Sequence, residues 1–133
     1  MRLIDKIGGL KKAELKTAYV DVSHVFEEEP GTTQFAFVQP SVQEMFRVNN
    51  KSEWLKLQFP EWPDALCDTV GIMLVMIDKS GYNEDDTANA DLAFAHFIDR
   101  ISLDEYGRFS RQLFEAFPEM KEPKKAVEDA KKN

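Results

Sequence analysis

Cys67, His24, His96 and the acidic run from Asp78 to Asp86 are the side chains whose types could support catalysis or metal binding. Cys67 is the one cysteine of the chain, so it forms no intrachain disulfide and offers no thiol pair to a metal. It falls inside ALCDTVGIMLVMI, residues 65–77, where apolar surroundings keep a thiol protonated and inert. His24 and His96 belong to different expected elements, and neither has a second ligand at a metal-binding interval. Asp78, Ser80, Asn83, Asp85 and Asp86 invite comparison with a calcium loop. Counted from Asp78, however, Asn83 stands where glycine is required and Asn89 where a bidentate glutamate is required. A solvated interhelical loop is the better reading. Gly8 and Gly9 lead into Leu10 and Lys11 without phosphate-loop spacing. The carboxylates are dispersed, and spacing identifies no acid–base pair among them. These residues point to a non-enzymatic chain without cofactor or metal, whose function lies in its surface.

The elements that must position that surface begin with a hairpin. Residues 18–26, AYVDVSHVF, alternate and are rich in β-branched side chains, which suits a strand. The acidic loop Glu27 to Thr33 follows, too long for a two-residue turn and expected to be mobile. QFAFVQP then places Phe35 and Phe37 on one face of a second strand ended by Pro40. Upstream, LKKAELK allows a short helix beginning near Leu10.

Beyond Pro40 the pattern becomes helical. Ser41 and Glu44 have capping-box spacing and start a helix at Val42, with Val42, Met45 and Phe46 as its apolar stripe. Ser52 can cap a further turn that carries Trp54, Leu55 and Leu57. FPEWPD breaks the helix, and Pro63 with Asp64 suits the start of the next. There Leu66, Val70, Met73, Leu74 and Ile77 form a core-facing stripe, while Ala65, Ile72 and Met76 form a second apolar stripe on another side. Asp86 or Thr87 can cap a helix whose core positions are Ala90, Phe94, Phe97, Ile98 and Ile101. Ser102 and Glu105 form another capping-box pair, opening a last helix lined by Tyr106, Phe109, Leu113 and Phe117 and stopped by Pro118. The fold class is mainly α (α+β), a small N-terminal β-hairpin followed by a bundle of about four to five helices. Residues 1–120 make a single domain, and residues 121–133 a flexible charged tail.

Composition limits the partners. The 133 residues are 43% hydrophobic and 31% charged, with ten Phe and two Trp as large anchors. A net charge of -7 opposes binding to nucleic acid, which draws on clustered Lys and Arg, and it repels an anionic membrane surface. The N-terminal MRLIDKIGG lacks the pattern of an export signal, and the apolar run Ile72 to Ile77 is far too short to span a bilayer. A cytoplasmic location is expected. Trp54, Phe59 and Trp62 cluster at the Pro-rich break, where they either cap one end of the core or anchor a partner. The stripe of Ala65, Ile72 and Met76 is open to the same two readings, with a homo-oligomer contact as the second.

The segments FVQPSVQEM and LCDTVGIMLVMIDKSGYNEDDTANADLAFAHFIDRISLDEYGRF give this chain a pattern, over about Thr33 to Phe117, that resembles the tail assembly chaperones of long-tailed bacteriophages. The resemblance implies a chaperone that binds the tape measure protein, keeps it soluble during tail morphogenesis and helps recruit tail tube protein. It also implies self-association, no cofactor, and a place in the host cytoplasm. A small adaptor or regulatory protein, binding a folded partner through the Trp54 to Trp62 region, is the alternative from another class. An enzyme with dispersed carboxylates comes third.

Overall fold

The computed structural model of the chain describes residues 2–79 and 86–120. The tail from 121 and most of the acidic run, residues 80–85, lie outside them. Strand β1, Thr17–Asp21, pairs antiparallel with β2, Gln34–Val38, with Tyr19 opposite Ala36 and Val20 opposite Phe35. The first strand stops at Asp21 rather than running on to Phe26. There the Asp21 carboxylate accepts from the Ser23 hydroxyl at 2.6 Å, the Ser23 N–H at 3.0 Å and the Gly31 N–H at 2.9 Å. Such side-chain bonds compete with the ladder, and Ser23–Phe26 forms a 3-10 turn instead. The loop expected to be mobile is thus held by Asp21 across its width, reversing through Glu27 and Gly31, both at positive φ. The short helix expected from Leu10 forms earlier, as α1, Leu3–Gly8, and residues 10–16 have no regular structure.

Among the described residues, five α-helices follow the hairpin: α2, Val42–Met45; α3, Val48–Gln58; α4, Asp64–Met76; α5, Thr87–Arg100; and α6, Leu103–Ala116. The chain is mostly helical, as expected. The Ser41 and Ser102 hydroxyls accept from the N–H groups of Glu44 and Glu105, each at 3.2 Å, which starts α2 and α6. The two glutamates turn elsewhere, Glu44 to Arg47 at 3.2 Å and Glu105 to His24 at 3.4 Å. Ser52 is no cap. It is buried inside α3 and donates to Asp68 of α4 at 2.5 Å. Pro63 is the N-cap of α4, one residue before the helix. Asp86 occupies the N-cap of α5 without a side-chain capping bond.

The core is built around α4. Residues 70–74 of this helix are all buried, which explains an apolar run with no polar side. The most extensive helix contact is between α3 and α4, and Gly71 makes it possible. A Cβ at Gly71 would stand 3.2 Å from both the Ser52 nitrogen and the Val48 carbonyl oxygen. On the other side, Phe35 and Phe37 of β2 meet Phe94 and Phe97 of α5 and Phe109 of α6, with ring centroids 5.1 to 6.2 Å apart. Edge-to-face contacts of this kind add to simple burial. The side chain of Lys16 lies 5.3 Å over the Phe117 ring and donates to the Ala116 carbonyl, tying the root of the hairpin to the end of α6.

Candidate functional site

Two kinds of feature qualify as a site: a cleft with converging charges, and apolar surface without internal cover. The cleft has a volume of about 380 Å³ and lies where the segment after β2 approaches the end of α4. Leu15, Val38, Pro40 and Leu74 to Ile77 supply its apolar wall, and Glu44, Arg47, Lys51, Asp78 and Lys79 its charges. Two of these lysines meet Asp91, which is 2% exposed: Lys51 Nζ lies 2.6 Å from Oδ2 and Lys79 Nζ 2.6 Å from Oδ1. Each carboxylate oxygen therefore faces one ammonium, and acidic and basic groups around the cleft nearly balance. The triad draws α3, α5 and the segment after α4 together. Its chemistry is that of a partly buried electrostatic clamp, which holds position because its groups have partners.

The histidines and the cysteine take structural places. His24 Nε2 contacts Glu105 Oε2 and links the 3-10 turn to α6. The His96 ring stands edge-on to Phe59 at 5.3 Å. Cys67 is fully buried, and burial pushes its thiol up from the usual range, away from the reactive thiolate. Among the described residues, no group of three or more His, Cys, Asp or Glu could hold a metal ion.

The residues expected to bind partners are divided by the structure. Phe59 and Trp62 stack at 4.3 Å with an interplanar angle of 17°, and Trp62 Nε1 donates to Asp99 Oδ1 at 2.9 Å. Both rings, and Trp54, are half-buried against the core, so this cluster caps one end of the helical core. Met76 is fully buried and Ile72 is 8% exposed, both within the chain's own core. This corrects the second stripe as a contact surface: α4 is covered on both sides by its own chain, and Ala65 alone of that stripe is exposed.

The apolar surface lies elsewhere. Val42 is 79% exposed, Phe46 82% and Leu57 78%. Val42 lies at the start of α2, Phe46 in the turn between α2 and α3, and Leu57 near the end of α3, an exposed apolar ridge broken by polar residues such as Asn50 and Glu53. The sequence signal for it was present but misassigned. Met45, Val48, Ser52 and Leu55 recur at core spacing, and that stripe leaves Leu57 on the far side of α3, while Val42 at the first position of α2 and Phe46 in the turn after it stay uncovered. A second patch is α1, in which no residue is buried and whose Leu3, Ile4 and Ile7, followed by Leu10, stand in solvent. The paired glycines there obscured an apolar stripe at i, i+1, i+4 and i+7. Leu103, at the start of α6, is 84% exposed.

No helix among the described residues is long and apolar enough to cross a membrane. No family model, curated protein or solved structure matches the chain.

Proposed function

We propose that this chain is a phage tail assembly chaperone, one that binds the tape measure protein and keeps it soluble during tail morphogenesis. The observation that carries the reading is the ridge of Val42, Phe46 and Leu57, each about four-fifths exposed. An exposed apolar ridge suits an apolar helical stripe on a partner that has not yet assembled. Leu57 stands on α3, which the close approach at Gly71 fixes to α4, so that end of the ridge is presented on a rigid support. A net charge of -7 opposes precipitation of such a surface against itself. The pattern over Thr33 to Phe117 supplies the identity of the partner, with the tail tube protein as a second. Host cytoplasm is then the place of action. The adaptor reading through Trp54, Phe59 and Trp62 draws less support, because Trp62 is committed to Asp99 and Phe59 to Trp62 and His96.

Co-expression with the tape measure protein tests the proposal. A soluble complex is expected, and Phe46→Asp with Leu57→Asp should return the tape measure protein to the pellet while leaving this chain folded. An insoluble tape measure protein beside the free wild-type chain would reject the reading.

A further inference from the structure

We infer that residues 2–12 form an exchange arm, which docks on the corner between the hairpin loop and the start of α6 of a second copy of this chain. The arm is apolar and uncovered: Leu3, Ile4, Ile7 and Leu10 are 57 to 75% exposed. It is also basic in an acidic protein. Residues 2–16 carry Arg2, Lys6, Lys11, Lys12 and Lys16 against Asp5 and Glu14. Residues 17–120 carry seven basic against nineteen acidic side chains. The root of the arm is fixed, since Lys16 is held at Ala116 and Phe117. Fully extended, the residues between that root and Gly9 would span about 20 Å.

The acceptor has the opposite character. The 3-10 turn Ser23–Phe26 is joined to α6 by the contact of His24 with Glu105. Flanking that junction are two exposed apolar side chains, Phe26, whose ring stacks on Phe97 of α5, and Leu103, with the acids Glu27, Glu28, Glu29 and Asp104 next to them in sequence. The segments 23–29 and 102–105 contain no Lys or Arg. An apolar stripe edged by ammonium groups thus has, on this same chain, an apolar corner edged by carboxylates. Reciprocal docking closes a two-fold dimer in which both patches are covered. An anionic lipid surface would match the arm but repel the acidic body to which it is tied. The inference is separate from the ridge of Val42, Phe46 and Leu57 and stands without it.

The test is carbodiimide cross-linking of an equal mixture of normal and nitrogen-15-labelled full-length chains, with sedimentation at low and high salt. The expected result is a dimer whose association weakens at least about tenfold as salt screens the pairs. Cross-links should join Lys6, Lys11 or Lys12 to residues 27–29 or 104 with mixed isotopes. Ile4→Asp with Ile7→Asp should give a folded monomer with an unchanged far-ultraviolet circular dichroism spectrum, because neither residue is buried within its own chain, and Leu103→Lys should do the same. A monomer at every salt concentration, cross-links within single chains only, or a dimer indifferent to these substitutions would overturn the inference. So would capture of the wild-type monomer by phosphatidylserine vesicles.

Discussion

Phe37 and Ile77 face each other across an isolated antiparallel bridge, reinforced by the Asp78 N–H donating to the Ala36 carbonyl at 2.9 Å. The apolar helix α4 therefore ends against the sheet: Ile77 turns to φ -62° and ψ 134° and meets β2 through this single bridge. Hairpin and helices share one core through this junction, with Phe37 fully buried at its centre.

Replacing Phe37 with alanine should cost about 4 kcal/mol in chemical denaturation, the loss typical of a large aromatic removed from a core. Tyr19, on the exposed face of the same hairpin, provides the contrast. Tyr19→Ala is expected to change stability by less than about 0.5 kcal/mol.

Two glycines on helices should respond with opposite signs. Gly71→Ala places a methyl group against backbone atoms of α3 and is expected to destabilise by about 1–2 kcal/mol, despite the gain in helix propensity. At Gly107, in the middle of α6, a Cβ meets nothing within 4 Å. Gly107→Ala should therefore stabilise by about 0.5–1 kcal/mol. Equal signs in thermal unfolding would refute the close-packing account of α3 and α4.

In the triad, the carboxylate should matter more than either lysine. Asp91→Ala leaves two ammonium groups facing each other, and a cost of about 2–3 kcal/mol is expected, reduced from the fully buried case because the lysines reach solvent. Lys51→Met leaves Lys79 in place and should cost about 1 kcal/mol or less. Urea titrations of the two variants give the comparison.

The hairpin loop should show an acid transition. Hydrogen bonds from the Ser23 hydroxyl, the Ser23 N–H and the Gly31 N–H hold the Asp21 carboxyl below its ordinary value of 3.8. Because the folded value is depressed, its stabilising contribution is present above the unfolded value and is lost as pH falls through the folded one. Carboxyl NMR titration should find Asp21 ionised after exposed aspartates have protonated. In Asp21→Asn, the protection of amides in residues 23–33, taken relative to their intrinsic exchange rates, should lose its transition in that range.

Much of this architecture was legible in the residues themselves. Periodicity located α4, α5 and α6, and Ser41 and Ser102 marked the starts of α2 and α6, because capping and amphipathic spacing are local properties. What sequence reasoning missed was decided between elements. Ser52 reads as a cap until Asp68 is known to lie beside it. The strand through Asp21 reads as continuous until Gly31 folds back to its carboxylate. For the surface, the second stripe of α4 lacked a distinguishing mark: an apolar side chain looks the same whether its own chain or a partner will cover it. Ile72 and Met76 were covered from within, while Phe46 and Leu57, part of a weaker local pattern, were not.

Cys67 is fully buried within α4, the helix joined most extensively to α3, and it is the chain's one cysteine. The protein consequently carries a native clock for its own breathing. The rate at which a small thiol reagent modifies it reports how often α3 and α4 part, free of background from any other sulfur nucleophile of its kind. Binding at the α3 end of the ridge should slow that clock, which makes occupancy of the outer surface readable from an atom at the centre.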